Sequence, residues 1–222
     1  MNGRTVLVAV AVVAMLAHVV LALVVAPQAK GFVAPVTQRI FYFHVPSAWI
    51  GYLAFAVTAF ASARFLHAPA ARWDHLARSS AEVGTVFSVV ALVTGLAWSR
   101  LEFAGYDPFT DAKVITLVVL ILAYLAYLSL RAGVADDDRR GRLAAVFGLL
   151  AVVGVPLSYL ASSVSIHPDF TRPGSGLDPG LGIYLGFGVV AFTLLYAALA
   201  ALRYDLAVLE ARLVAASETL ER

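Results

Sequence analysis

Histidine is the residue type in this chain best suited to chemistry: there are five histidines and no cysteine. Imidazole nitrogens bind metal ions and titrate near neutral pH. The lack of cysteine removes thiolate ligands, disulfides and covalent cofactor attachment through a Cys-x-x-Cys-His motif. The sequence also contains no His-Glu-x-x-His motif, no Gly-x-Ser-x-Gly motif and no nucleotide-binding glycine loop. We therefore expect a protein that is not an enzyme and that holds any cofactor through histidine, carboxylate or packing.

Six long apolar segments must position these histidines. The 222 residues are 61% hydrophobic and 14% charged, with a mean hydropathy of +0.87, so lipid is the expected solvent for most of the chain. A helix that crosses a bilayer needs about 20 apolar residues. Such segments occur at about 6–26, 49–66, 83–98, 114–130, 143–163 and 181–202. The sequence predicts an all-α polytopic membrane protein, a six-transmembrane-helix bundle formed by residues 1–203 without a separate soluble domain.

Basic residues are distributed unequally between the two ends of these spans. Of the 16 Lys and Arg residues, eleven fall on one set of alternate connections and termini and five on the other. Because Lys and Arg are retained on the cytoplasmic side, we expect both termini in the cytoplasm and a multi-pass protein of the cell membrane. Membrane topology then explains the net charge of +2, and no nucleic acid partner is expected. Residues 204–222 place leucines at helical spacing among charges, which predicts a cytoplasmic amphipathic tail on the inner surface or against a partner.

His44 and His167 are predicted to meet at the outer surface. His44 precedes the second predicted span and His167 follows the fifth, and both connections face outward. Pro46 suits the first turn of a helix, so His44 would project from just before a rigid start. Two neutral imidazoles that converge from opposite sides suit an iron porphyrin, whose two axial positions accept nitrogen. The alternative is that both are interfacial residues within the belt of aromatic side chains.

The other three histidines have less specific expected roles. His67 and His75 lie in an inner connection rich in arginine, where a solvated or headgroup role is expected. His18 lies deep within the first span, where an imidazole either has a direct function or bonds to a neighbouring helix. His18 keeps a b-type electron-transfer cytochrome open as an alternative. A small transporter is the weaker alternative, because the spans contain almost no charged residues.

The sequence around His44 resembles the motif of a known family. Residues 39–49 read Arg-Ile-Phe-Tyr-Phe-His-Val-Pro-Ser-Ala-Trp, which closely resembles the segment before the second helix of CcmC, a haem-handling membrane protein family of cytochrome c maturation related to CcmF and CcsA. The similarity covers nearly the whole chain and includes Gly-Val-Pro at 154–156 and a histidine that matches His167. It implies that His44 and His167 are the axial ligands of a transiently and noncovalently bound haem b.

The segment 95–113 corresponds to the family's porphyrin-cradling region. In the family this region is rich in tryptophan and ends in Trp-Asp-Ala-Arg, whereas here residues 111–113 read Asp-Ala-Lys and most of the tryptophans are absent. The aromatic side chains Trp98, Tyr106 and Phe109 remain as predicted surfaces for haem.

Haem propionates carry negative charge and should pair with outward cations. The predicted candidates are Arg39, Lys113, Arg100 and Arg172. Asp111 is expected to orient one of these cations or a ligand histidine by hydrogen bonding.

The resemblance also implies partners beyond haem and the lipid bilayer. Haem would pass to a CcmE-like haem chaperone on the outer side, and an ABC transporter complex with CcmA-like and CcmB-like subunits would drive its release. A small single-span membrane protein is a further expected partner.

Overall fold

The computed structural model describes residues 2–28, 36–165 and 179–220, without the side chains of Pro179 and Glu218. His167 and Arg172 lie outside the described residues. The described part of the chain contains helices and turns but no strand. Six of its helical segments are long and apolar enough to cross a membrane: Gly3–Val25, Thr37–His67, Ala71–Glu102, Ala112–Gly133, Asp137–Val164 and Gly180–Ser217. The predicted six-helix membrane fold is confirmed.

The helices are longer than the apolar segments that predicted them. They are, in chain order, α1 (Gly3–Val20) with a π-helical end (Leu21–Val25), a 3-10 turn (Thr37–Ile40) leading into α2 (Phe41–His67), α3 (Ala71–Glu102), α4 (Ala112–Gly133), α5 (Asp137–Ala151), α6 (Gly154–Leu160) with a 3-10 turn (Ala161–Val164), and α7 (Pro179–Leu220). Several of the additional turns carry charged residues, among them Arg78 and Glu82 of α3 and Asp137 of α5.

The start of α2 differs from the prediction. The helix begins at Phe41, directly after the 3-10 turn, so His44 lies inside the helix and Pro46 is its sixth residue. The expectation that Pro46 occupies the first turn and that His44 precedes the helix is therefore wrong. A proline inside a helix leaves the carbonyl four residues earlier without its usual N–H donor, and at Pro46 that carbonyl belongs to Tyr42.

The fifth span is interrupted in its middle. α5 ends at Ala151, and α6 begins at Gly154 after a short turn. Pro156 has no N–H to donate to the carbonyl of Val152, which accepts from Val155 N at 2.9 Å instead. The break separates α5 from α6 and the 3-10 turn after it.

α7 is one continuous helix of 42 residues, about 63 Å at 1.5 Å per residue and so about twice the thickness of a bilayer's hydrocarbon core. The segment predicted as a tail from residue 204 continues the sixth span as one helix through Leu220, and its amphipathic, cytoplasmic role stays a prediction. Ion pairs join this extension to the bundle: Arg78 contacts Glu210 at 3.0 Å and Arg4 contacts Asp205 at 3.1 Å.

Small residues allow α2 and α3 to pack closely. A Cβ atom at Gly51 would clash with the Ser88 hydroxyl, and one at Gly84 would lie 2.7 Å from the Ala54 Cβ and 3.0 Å from the Phe55 ring. Small residues at helix contacts let backbones approach in membranes, where lipid is as apolar as the helix surface. The Phe55 ring also stacks on Tyr124 of α4, with centroids 3.5 Å apart. These contacts fix α2 at the centre of the bundle.

The two ends of the bundle have different chemistry. At one end, called here the arginine-rich end, ion pairs link different helices: Arg131 with Asp74, Arg203 with Glu82, Arg78 with Glu210, and Arg4 with Asp205. The start of α2, the end of α3 and the start of α4 lie at the other end, called here the His44 end. The sorting of basic residues into two sides therefore agrees with the fold, and the assignment of the arginine-rich end to the cytoplasm stays a prediction.

Candidate functional site

A cavity of about 330 Å³ opens among the helices at the His44 end. Its size falls within the range of cofactor and ligand pockets. Its walls are mostly apolar and come from α2, α3, α4, the end of the fifth span and α7. Four residues singled out from the sequence line it together: His44, Trp98, Tyr106 and Lys113.

His44 is half-buried, and its ring is held by α3. Its Nδ1 lies 2.9 Å from the carbonyl oxygen of Ala91 and 3.2 Å from the hydroxyl oxygen of Thr94. Because a carbonyl can only accept, Nδ1 must carry the proton. The lone pair of the neutral ring is then on Nε2, which is the form of imidazole that binds a metal. A backbone hydrogen bond on the opposite nitrogen is the usual support of a ligating histidine.

Gly95 provides the space for this ring. A Cβ atom at this position would lie 2.7 Å from His44 Cε1 and 3.2 Å from His44 Nδ1, closer than van der Waals contact allows. Gly95, one helical turn after Ala91, therefore leaves the room that the imidazole occupies.

Substitution Gly95→Ala is expected to displace the His44 ring from Ala91. For the haem binding that the sequence predicts, we expect the affinity to fall about tenfold, since loss of a histidine's supporting contact typically costs 10–100-fold in metal affinity, while the helical circular dichroism spectrum stays unchanged. Gly133→Ala is the matched control, because nothing lies within 4 Å of a Cβ at that position. Equal haem affinity in both variants, measured by spectroscopic titration, would show that the ring position does not matter.

Aromatic side chains form one wall beside His44. Trp98 is buried, and its ring meets Phe103 edge to face with centroids 5.4 Å apart; Phe103 lies 6.4 Å from Tyr106. Burial, together with the charge of Asp111 and a hydrogen bond to it, raises the pKa of Tyr106 to about 12. Tyr106 therefore stays protonated at physiological pH.

Asp111 joins three segments at the rim of the cavity. It is 8% exposed and caps the N-terminus of α4, where its Oδ1 accepts from Lys113 N at 2.8 Å. Both carboxylate oxygens also accept from the Ser165 hydroxyl, at 2.8 and 2.9 Å. Asp111 thus holds the chain at Ser165 next to the cavity, and its side chain is not among those that line the cavity.

Lys113 reaches into the cavity wall. Its Nζ donates to the Tyr52 hydroxyl at 3.1 Å and to the Ser158 carbonyl at 2.8 Å, and lies 5.5 Å from the centre of the Tyr52 ring. Within the described residues no carboxylate lies within ion-pair distance of this ammonium group. The lysine is therefore a positive charge held by neutral groups.

Two predicted residues lie away from the cavity. Phe109 is 86% exposed. Arg39 donates to the carbonyls of Ala22 at 3.0 Å and Ala26 at 3.4 Å, and also to that of Leu23, so it caps the carbonyl end of the first span. His167 was predicted as the second ligand and lies outside the described residues.

The structure adds cavity residues that the sequence analysis did not single out as site residues. Tyr52, Tyr159 and Gly95 all line the cavity. Tyr52 follows the His44 motif by one helical turn, which is a usable signal in the sequence. The contribution of Tyr159 depends on the break in the fifth span and has no comparable local signal.

A second cavity, of about 480 Å³, lies at the arginine-rich end. It is lined by Arg4, Arg72, Trp73 and apolar side chains of α2, α3 and α7, and no histidine lines it. This cavity therefore offers no imidazole to a haem iron.

His18 is fully buried away from both cavities. The ring packs among Phe43, Phe187 and Phe192. A Cβ at Gly188 would lie 2.5 Å from His18 Cε1, so the ring is in close contact with the backbone of α7. No space remains for a porphyrin at this imidazole, which argues against the b-type cytochrome alternative.

No group of three or more His, Cys, Asp or Glu side chains within the described residues could hold a bare metal ion. A porphyrin fills four positions around its iron and needs only axial ligands from the protein. The donor set at the His44 end, one fixed imidazole with aromatic walls and one cation, fits such a group.

The fold and the cavity define a multi-pass helical membrane protein with a histidine-bearing, aromatic-walled cavity at one end of its bundle. The family model for CcmC, Heme exporter protein C, matches residues 2–218. The chain belongs to this family, whose members are membrane haem-delivery components and not enzymes.

Three curated relatives illustrate the match. Heme exporter protein C of Bradyrhizobium diazoefficiens is 32% identical over 179 residues, which cover 77% of this chain and 67% of that protein. Heme exporter protein C of Escherichia coli strain K12 is 33% identical over 174 residues, covering 75% and 69%. A putative cytochrome c biosynthesis ccmC-like mitochondrial protein of Marchantia polymorpha is 26% identical over 154 residues, covering 69% and 64%.

Proposed function

We propose that this protein binds haem noncovalently in the His44 cavity at the outer face of the cell membrane and presents it to a haem chaperone. Membership of the CcmC family gives the broader role, the handling of haem for cytochrome c maturation. The observation that carries the specific proposal is the placement of His44: it lines the cavity with its Nδ1 proton on the Ala91 carbonyl, and in that tautomer the ring's lone pair is on Nε2, the nitrogen that would bind iron.

The second axial ligand in this proposal is His167. Ser165 supports it, because its hydroxyl bonds to Asp111 at the rim of the cavity. His167 follows Ser165 by two positions in the sequence. Bis-histidine coordination of a haem b needs two neutral imidazoles from opposite sides of the ring.

Lys113 is the proposed partner of a haem propionate. Its ammonium group is held by a hydroxyl, a carbonyl and aromatic rings rather than by a carboxylate, so an incoming anion does not have to displace a negative charge. The position of Arg39 on the carbonyls of the first span makes it a structural cation in this proposal. Asp111 acts by positioning Tyr106 and Ser165.

Reversible binding suits a protein that hands its cargo on. The site has no cysteine for covalent attachment, and its walls are contributed by several helices and a helix break rather than by one closed loop. In this proposal the recipient is a CcmE-like chaperone on the outer side, and subunits like CcmA and CcmB, with a small single-span protein, assemble with the chain to drive release.

A haem titration of the variant His167→Ala tests the two-ligand proposal. Wild-type protein purified in detergent is expected to give a low-spin spectrum, whereas the variant should give a five-coordinate, high-spin spectrum because the His44 side remains. Free imidazole in the buffer should restore the low-spin form by filling the vacant axial position. A variant that keeps the wild-type spectrum without added imidazole would exclude His167 as a ligand.

A further inference from the structure

The carbonyl group of Tyr42 has lost its helical partner. In an α-helix it would accept from the N–H of residue 46, but that residue is proline. Tyr42 is fully buried, so water cannot replace the missing donor. A buried carbonyl without a partner costs free energy comparable to a lost hydrogen bond, and the cost is greatest where lipid surrounds the helix.

His18 supplies the missing donor from α1. Its Nε2 lies 3.0 Å from the Tyr42 oxygen, and because a carbonyl can only accept, Nε2 carries the proton. Within the described residues His18 Nδ1 is buried without a hydrogen-bond partner, which fits a neutral ring that uses one nitrogen. The tautomer is the opposite of that at His44, and it serves a different purpose.

Arg39 makes the reciprocal connection. It donates from the chain just before α2 to the free carbonyls at the end of the first span, while His18 donates from α1 to the free carbonyl in the first turns of α2. The first span and the start of α2 thus each donate hydrogen bonds to backbone carbonyls of the other that lack a helical partner. Gly188 of α7 completes the arrangement by leaving room for the imidazole.

We propose that His18 is a positioning residue that locks the start of α2 and thereby sets the position of His44. Tyr42 and His44 lie in the same helical turn, so a shift of this carbonyl moves the ligand histidine with it. This inference rests on the proposed haem site for its functional consequence, but the lock itself is a property of the protein without haem. It accounts for a buried intramembrane histidine that has no access to either cavity.

A double-mutant cycle between residues 18 and 46 tests the lock. His18→Leu is expected to lower the Tm of the haem-free protein by about 5 °C, because the Tyr42 carbonyl loses its donor. Pro46→Ala restores an N–H at the usual position, so the same His18→Leu change in that background should lower the Tm by less than half as much. Equal losses in both backgrounds would overturn the proposal.

Rescue by an isosteric donor tests the consequence for haem. The amide nitrogen of glutamine can take the place of Nε2, so His18→Gln should keep the haem Kd within about twofold of the wild type, while His18→Leu should raise it about tenfold. Gly188→Ala should act like His18→Leu, and Gly186→Ala, with open space around its Cβ, should not. A glutamine variant as weak as the leucine variant would refute the donor role.

The two experiments separate the lock from the haem site. Absence of haem binding by the wild-type protein would refute the proposed function but leave the stability cycle to decide the lock. A cycle without coupling would refute the lock even where haem binds at His44.

Discussion

Replacement of His44 by alanine is expected to abolish the low-spin haem spectrum and to lower haem affinity by more than about 100-fold. Loss of a partner that merely orients a ligating histidine costs 10–100-fold in metal affinity, and here the ligand itself is removed. No other lining side chain can replace His44 as an imidazole ligand, since His44 is the one histidine that lines the cavity within the described part of the chain. The measurement is a spectroscopic titration of detergent-purified protein with haem.

His67→Ala is the control for this loss. His67 lies at the opposite end of the same helix and is exposed, so its removal should leave the spectrum and the affinity unchanged. Addition of imidazole should partly restore the low-spin spectrum of the His44 variant. A His44 variant that retains the wild-type spectrum would place the iron elsewhere in the molecule.

Removal of one partner from the Asp74–Arg131 pair is expected to destabilise the protein by about 3 to 5 kcal/mol. The guanidinium binds both carboxylate oxygens, at 2.7 and 2.6 Å, and the Arg131 side chain is only 7% exposed. Asp74→Asn leaves a buried cation without its charge partner. The free energy of unfolding, measured by denaturant titration in mixed micelles, should fall by this amount.

The exposed pair Arg140–Asp137 provides a comparison within the same protein. The Asp137 side chain is 82% exposed, so Asp137→Asn should cost less than about 1 kcal/mol. The double variant Asp74→Leu with Arg131→Met should recover much of the lost stability, because it leaves no unpaired buried charge. Equal effects of Asp74→Asn and Asp137→Asn would mean that the first pair is hydrated and does not clamp α3 to α4.

Hydropathy predicted the six spans because lipid imposes a simple rule on every segment that crosses it. It did not predict the helix ends, since charged turns such as those around Glu82 continue a helix when they find partners on other helices. Glu82 pairs with Arg78 and with Arg203, the latter 121 positions away. Such pairings depend on the assembled bundle and have no local signature.

The residues of the candidate site, like the helices, were only partly predictable from the sequence. The motif and the order of the spans predicted His44, Trp98, Tyr106 and Lys113. These residues meet because alternate connections between spans lie at the same end of a helical bundle. The placement of Arg39 was not predicted, because its partners are backbone carbonyls of another helix. Every residue has a backbone carbonyl, so residue types do not indicate which carbonyl an arginine will bind.

Pro46 illustrates a local rule that was applied to the wrong position. Proline favours the first turn of a helix, but here a 3-10 turn starts the helix earlier and His18 offsets the missing N–H. The exception depends on a histidine 28 positions earlier in the sequence, for which the sequence left open a direct function or a bond to a neighbouring helix without indicating the Tyr42 carbonyl as its partner.

The position of the iron is the most direct test of the proposed haem site. We predict that an anomalous difference map, recorded at the iron absorption edge from crystals of the haem-loaded protein, will show a single peak at bonding distance from His44 Nε2 and within the cavity bounded by Trp98, Tyr106 and Lys113. A peak beside His18, or in the cavity of Arg4 and Trp73 at the arginine-rich end, would contradict the proposal.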